Sequence, residues 1–199
     1  TLKSNGLDEN TIIFFLNDNG GATINASNNG VLRGMKGSKW EGGIRVPFVV
    51  RWTNHLTASR YNKPVSSLDI AATCVTIAGD TSEGMKDLDG VHLLPFLSSE
   101  DSTPPHEVLY WRRGPAGAVR KGDWKLICVD EQPPLLFNIK NDISETNNLA
   151  DKQPEIVSHL TTLYEEWESE LVEPLWVAGK VWTDRQIAKH KMDVVGRDA

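Results

Sequence analysis

The stretch that most limits how this chain can fold runs from Thr11 to Pro47, TIIFFLNDNGGATINASNNGVLRGMKGSKWEGGIRVP. An apolar run, Ile12-Ile13-Phe14-Phe15-Leu16, stops abruptly at Asn17-Asp18-Asn19-Gly20-Gly21. A run this short, bounded and rich in β-branched and aromatic residues predicts a strand buried on both faces. In open α/β sheets, ligands sit just past the carboxyl ends of such strands. The glycine-spaced loop that follows carries Arg33, Lys36, Lys39, Glu41 and Arg45. Acid and amide groups therefore come first, and basic groups follow in the same loop.

Asp18 and Asn19 offer a carboxylate and an amide carbonyl, hard oxygen donors that suit Ca²⁺ or Mg²⁺ rather than a soft metal. The same residues are common in Asx turns, and Asn-Gly is a turn dipeptide. From residue type alone the two readings weigh equally, and the strand-end position tilts the balance towards a ligand. Ca²⁺ takes about 6 to 8 oxygens, so the remaining donors must come from water, substrate or residues outside this chain. Lys36 lies between Gly34-Met35 and Gly37, where glycines let backbone approach a ligand and an ammonium can meet an anionic oxygen. A solvated loop lysine is the ordinary alternative; a candidate cation site just upstream makes anion contact competitive. Glu41 and Arg45 are expected to pair across Gly42-Gly43, a structural role.

Composition narrows the field. With 199 residues there is room for one large domain, or one domain and a smaller one, and 39% hydrophobic content is enough for a core. A net charge of -6 argues against a general nucleic-acid or membrane-surface binder. No apolar stretch approaches the ~20 residues needed to span a bilayer. The chain begins without Met and enters a strand almost directly, with no signal peptide, which suggests a truncated or processed polypeptide. Cys74 and Cys128 sit in apolar surroundings and are expected to pack as small hydrophobes.

Further along, Pro47-Phe48-Val49-Val50-Arg51-Trp52 predicts a second buried strand. Ser66 and Asp69 fit an S-x-x-D capping box opening a helix. Ile70, Ala71, Cys74, Ile77 and Ala78 would form its apolar face, and Gly79 its stop. A loop with Gly84 and Gly90 leads to an apolar segment, Val91 to Leu97, expected against the sheet. Composition shifts at Ser98 to Pro105, and a boundary is placed there. Short strands are expected at Glu107 to Arg112, Gly117 to Arg120, Trp124 to Val129 and Leu135 to Ile139. Trp124, Leu126 and Cys128 alternate with Lys125 and Ile127, as in a sheet with one face packed. Pro154 opens a helix whose Ile156, Val157, Leu160, Leu163, Tyr164, Trp167 and Leu171 share a face. The expected division is therefore 1–100 as part of an α/β domain, 101–175 as a small antiparallel subdomain with one packed helix, and 176–199 as a tail.

The stretch Asn17-Asp18-Asn19-Gly20, followed by Leu32-Arg33-Gly34-Met35-Lys36-Gly37 and Trp40-Glu41-Gly42-Gly43-Ile44-Arg45-Val46-Pro47, resembles the formylglycine-dependent sulfatases of the alkaline phosphatase-like superfamily. The resemblance continues through Val65 to Ile70, Leu88 to Val91, Val119 to Leu126, Leu136 to Ile139, Glu145 and Asn148 to Ala150. It implies a mixed α/β sheet with a small C-terminal antiparallel sheet. It implies that Asp18 and Asn19 bind Ca²⁺, with Mg²⁺ the lesser alternative, and that Lys36 contacts the sulfate. Asn17, His92 and Asn138 depart from the family pattern.

The family's C/S-x-P-x-R motif, the source of the formylglycine nucleophile, has no counterpart: neither Cys is followed by Pro at the right distance, and Ser102-Thr103-Pro104-Pro105-His106 ends in His. The family's further metal-binding aspartates are missing as well. These parts are expected on an N-terminal half of the same enzyme, so this chain alone should show little turnover. The resemblance implies an exported enzyme acting on a sulfated small molecule or carbohydrate through a hydrated formylglycine. A phosphoryl or phosphonate hydrolase of the same superfamily and a non-catalytic binding fragment are the alternatives. Trp111, Arg112 and Arg113 are candidates for the substrate entrance, against simple packing, and no histidine is assigned a role.

Overall fold

A computed structural model of the chain describes residues 1–79, 88–98, 103–176 and 178–191. Contacts divide the chain into two compact units. The first is Thr1–Leu16 with Pro47–Glu107, and the second is Asn17–Val46 with Val108–Ala199. The contacts group the loop 17–46 with the C-terminal sheet. Gly84 and half of the expected boundary, residues 99–102, lie outside the described residues.

In the first unit, β1 (Ile12–Leu16) pairs antiparallel with β2 (Phe48–Trp52), placing Phe15 opposite Val49. Both strands are where the apolar runs predict. Burial on both faces is corrected: Phe15 is 65% and Val49 55% exposed. These partners share one face, because side chains alternate along a strand and opposite residues point the same way. The ribbon is pinned by Asp8, whose carboxylate accepts from Arg51 Nη2 at 2.8 Å and Thr53 Oγ1 at 2.8 Å.

The helix expected after Ser66 is α2 (Asp69–Ile77), and Gly79 follows it with φ 85°. Half of the capping box forms: the Asp69 carboxylate accepts the Ser66 N–H at 2.7 Å, while Ser66 Oγ accepts from Leu68 N rather than from Asp69. The buried face is not the apolar stripe. Asp69, Ala72 and Thr73 are buried, whereas Ala71, Cys74 and Ala78 are exposed. Hydrogen bonds set this rotation. Asp69 Oδ1 accepts Val91 N–H at 3.0 Å and lies 2.8 Å from His106 Nε2. Thr73 Oγ1 accepts Leu93 N–H at 3.0 Å. Two satisfied polar side chains therefore outweigh a weak apolar pattern, and Cys74 is corrected from core to surface. Fully buried Leu93 leads into a short helix, α3 (Leu94–Leu97).

The second unit is built on an antiparallel meander, β3 (Val108–Arg113), β4 (Ala116–Lys121), β5 (Trp124–Val129) and β6 (Leu135–Asn138), in sequential order. All four expected strands are present, displaced by about one residue at most ends. Helix α4 (Pro154–Ser169) starts at the proline, as its ring permits in a first turn. Its Leu160 and Tyr164 close over Val119, Leu126 and Leu136, with Ile156, Val157, Leu163 and Trp167 around them. Leu171, assigned to the same face, lies beyond the helix end.

The other face of the sheet is not open. Trp40, 1% exposed, enters a cluster of Ala116, Ala118, Ile127, Val129, Phe137 and Ile139. The expectation of one packed face is thereby corrected: Lys125 and Ile127 are both fully buried. Trp40 leads directly into a single helical turn, α1 (Glu41–Ile44). The tail contributes α5 (Lys180–Lys191), for which the sequence offers no firm expectation.

Candidate functional site

The loop 17–46 has little regular structure, so its backbone groups must find partners one by one. Gly20 N–H donates to Gly43 O at 3.1 Å, Lys36 N–H to Gly21 O at 3.0 Å, and Gly42 N–H to Arg33 O at 2.7 Å. Asn29 adds a side-chain tie, accepting Gly21 N–H at 2.8 Å and donating to Gly34 O at 3.0 Å. Three segments of the loop are thus laced backbone to backbone. Gly42 is required by that closeness: a side-chain carbon there would sit 2.8 Å from the carbonyl oxygens of Leu32 and Gly34.

Beneath the lacing lies a buried ion cluster. Lys125 Nζ donates to Glu41 Oε1 at 2.9 Å and to Glu145 Oε1 at 2.8 Å, and Glu41 N–H donates to Glu145 Oε2 at 2.6 Å. The expected pair is present on the rim, with Arg45 Nη1 3.3 Å from Glu41 Oε2. Burial works to raise the Glu41 carboxyl, but Lys125, Arg120 and Arg45 outweigh it and hold its pKa below the ordinary value. At Glu145 burial prevails over the same lysine, and the pKa rises. Arg33 stacks its guanidinium 3.9 Å from the Trp40 ring centre and donates to Glu145 O at 2.8 Å. Arg33 and Arg45 are therefore committed to the shape of the loop.

Asp18 is exposed and Asn19 half-buried. Their side chains meet, with Asn19 Nδ2 donating to Asp18 Oδ1. Among the described residues, neither oxygen accepts a backbone N–H of its own turn, which an Asx turn demands. Elsewhere in the loop that role is filled: Asn25 Oδ1 accepts Ser27 N–H at 3.3 Å, and Asn28 Oδ1 accepts Gly30 N–H at 2.7 Å. Adjacent hard oxygens not consumed by their own backbone fit a Ca²⁺ or Mg²⁺ ligand pair. They fit it only in part, since the described residues hold no group of three or more His, Cys, Asp or Glu arranged to bind a metal.

Lys36 is exposed, on the turn that ends at Gly37, whose φ of 89° a side chain rarely adopts. Lys39 is buried at 4% exposure. Burial first, then the nearby charges of Arg113, Lys125 and Lys189, lowers its pKa to about 8. Helix α5 covers this turn: Lys39 N–H donates to His190 Nε2 at 2.9 Å, and Lys189 Nζ donates to Lys36 O at 3.4 Å. The candidate entrance residues separate. Trp111 packs on the Trp40 cluster, Arg112 Nε lies 3.2 Å from Glu168 Oε1, and only Arg113 reaches the Gly37 turn. Sequence reasoning missed Lys125, Lys189 and His190. Alternation along β5 puts Lys125 on the face expected to be open, so no sequence signal pointed to it.

Residues 1–80 match the family model described as Sulfatase. Arylsulfatase A of Bos taurus is 30% identical over 181 residues, an alignment covering 76% of this chain and 36% of the relative. Steryl-sulfatase of Mus musculus is 36% identical over 189 residues, covering 73% and 30% respectively. The crystal structure of Ps i-CgsB in complex with k-i-k-neocarrahexaose aligns with TM-score 0.80 and 32% identity, covering 95% of this chain and 43% of that one. This chain thus spans roughly a third of the length of the curated relatives it matches. The mixed α/β architecture is that of its sulfatase neighbours, which have the alkaline phosphatase-like fold. The family-model match, the arylsulfatase and steryl-sulfatase relatives and the shared architecture make this chain a member of the sulfatase family.

Proposed function

We propose that this chain is the part of a sulfate-ester hydrolase that holds one side of the sulfate group. The observation that supports the reading is the 3.0 Å hydrogen bond from Lys36 N–H to Gly21 O, which ties the lysine turn to the segment carrying Asp18 and Asn19. In this reading Asp18 and Asn19 supply two oxygens to a divalent cation, Ca²⁺ by family resemblance. When bound, such a cation provides fixed positive charge that polarises a sulfate oxygen. Lys36 directs its ammonium at the charge that gathers on sulfate oxygens as the S–O bond to the alcohol breaks. Preorganisation comes from beneath: the buried Glu41–Lys125–Glu145 cluster fixes the loop, so the lysine needs little rearrangement to meet that charge.

The nucleophile, a formylglycine by family resemblance, belongs to polypeptide outside these residues. Export from the cytoplasm goes with the same resemblance. No helix among the described residues is long and apolar enough to cross a membrane. A sulfated carbohydrate or an aryl sulfate is the substrate class, since the matched proteins include a carbohydrate-bound structure and an arylsulfatase.

The test is Lys36→Ala in the full-length enzyme, assayed with an aryl sulfate. Turnover should fall about 10²–10³-fold, the usual effect of removing one donor to a developing oxyanion, while the urea unfolding midpoint stays within error. Near-normal turnover would remove Lys36 from the site.

A further inference from the structure

Four cations surround the Gly37 turn, and their number exceeds what one sulfate ester needs. A side-chain carbon at Gly37 would lie 2.6 Å from Arg113 Nη1 and 2.9 Å from Lys189 Nζ, so both groups flank one glycine. Lys189 also donates to the Lys36 carbonyl, and Lys39 sits buried under the same turn. Among the described residues no carboxylate pairs with Lys36, Lys39, Arg113 or Lys189. Elsewhere in this unit Arg45, Arg112, Lys125 and Lys180 each have an acid partner. Burying an ammonium away from any acid is costly, and like charges beside it raise that cost.

A buried amide points the same way. Gln186 is 4% exposed, and its Oε1 has no hydrogen-bond partner. That oxygen lies 3.5 Å from the carbon position at Gly37. Arg113 Nη1 and Lys189 Nζ beside Gly37 are donors, so the oxygen is the end of the amide that fits there, and Gln186 Oε1 is a further buried polar group of the cluster left without a hydrogen bond. Arg113 is held from the other side, with its guanidinium carbon 5.6 Å from the Trp182 ring centre. The cluster is therefore assembled by α5 and the β3–β4 turn, and it faces outward through exposed Lys36 and Arg113.

We propose that Lys39, Arg113 and Lys189 form a second anion subsite beside Lys36, which takes a further sulfate or carboxylate on the same substrate. The inference rests on the sulfatase reading for Lys36 and adds the substrate class: a multiply charged carbohydrate rather than a singly charged ester. A sulfate monoester carries one negative charge, so it leaves most of the cluster uncompensated. A second anionic group supplies the difference.

The experiment compares two substrates in the full-length enzyme, a monosulfated aryl ester and a disulfated disaccharide. Replacing Arg113 and Lys189 together by Gln should lower the ratio of kcat/KM values, disaccharide over aryl ester, by about tenfold or more, the equivalent of one charge-assisted hydrogen bond. The loss should fall on KM, and Lys189→Arg should restore part of it. Equal loss on both substrates, or an unchanged ratio, would overturn the subsite. If the unsubstituted enzyme hydrolyses neither compound, the sulfatase reading fails, and binding then decides the subsite. In that case the disulfated disaccharide should still quench tryptophan fluorescence, with about tenfold weaker binding in the Gln pair. Binding unchanged by the substitutions, or no binding at all, would also overturn it.

Discussion

The two faces of the β3–β6 sheet are covered by different physics. One face receives α4, and its contacts are apolar: Leu160 and Tyr164 over Val119, Leu126 and Leu136. The other receives an irregular loop, which has no stripe of side chains to offer. It is fixed instead by one aromatic anchor, Trp40, and by the Glu41–Lys125–Glu145 cluster. Apolar burial is non-directional and tolerates small shifts. A buried charge cluster holds only when each partner is in place. The helix face therefore supplies stability, while the loop face supplies position, which the proposed role of Lys36 needs.

Breaking the cluster gives the sharpest test of that contrast. Lys125→Met leaves two buried carboxyl groups without their cation and should cost about 3–5 kcal/mol. Urea unfolding measures the loss, and Lys36-dependent turnover should vanish with it. Retained turnover at a lowered midpoint would mean that the cluster does not position the loop. Leu160→Ala, on the helix face, should cost about 2–4 kcal/mol through lost burial and a cavity. Its turnover at a temperature well below unfolding should stay near normal; a large fall would erase the distinction between the faces.

Acid titration refines the comparison. Glu41 is held below its ordinary pKa of 4.5, so its contribution is present above that pH and lost as pH falls through the folded value. Glu145 is raised: it binds its proton more tightly folded than unfolded, which favours folding in acid and fades as pH rises past the folded value. Urea midpoints between about pH 3 and 7 should thus show a flatter acid limb in Glu41→Gln and a steeper one in Glu145→Gln. Identical limbs would place the acid sensitivity elsewhere. The smallest effect belongs to Tyr164→Phe, which removes the 3.2 Å bond from its hydroxyl to Glu168 Oε1. The loss should be about 0.5–1.5 kcal/mol in a thermal melt, with no change in turnover.

Much of the scaffold was legible because it follows local rules. The strands from Val108 to Asn138 alternate or run apolar between turns, Pro154 opens α4, and the face from Ile156 to Trp167 is the one that packs. The pair of Glu41 with Arg45 was also legible, being one helical turn apart. What escaped depends on partners distant in sequence. Lys125 reads as an outward strand residue until Glu41 and Glu145 are brought to it. The buried face of α2 is chosen by Asp69 and Thr73, whose partners lie 22 and 20 residues further on. Helix α5 has no apolar stripe; its buried residues are Gln186 and His190, with Ile187 alone half-buried against the Trp40 cluster, and such anchoring leaves no periodic signature. Within the candidate site, the motifs single out Asp18, Asn19 and Lys36, but not the cations gathered around Gly37.

The order of synthesis follows from the cluster. Lys125 lies 84 residues after Glu41, and Glu145 lies 104 residues after it. At about 5–20 residues per second, Glu41 leaves the ribosome about 4–17 seconds before its countercharge Lys125 does. During that interval Glu41 remains hydrated and the lysine turn has nothing to press against. Maturation of the loop is thus timed by residues made well after it, and a polypeptide that stops short of Glu145 would carry the motif without its geometry.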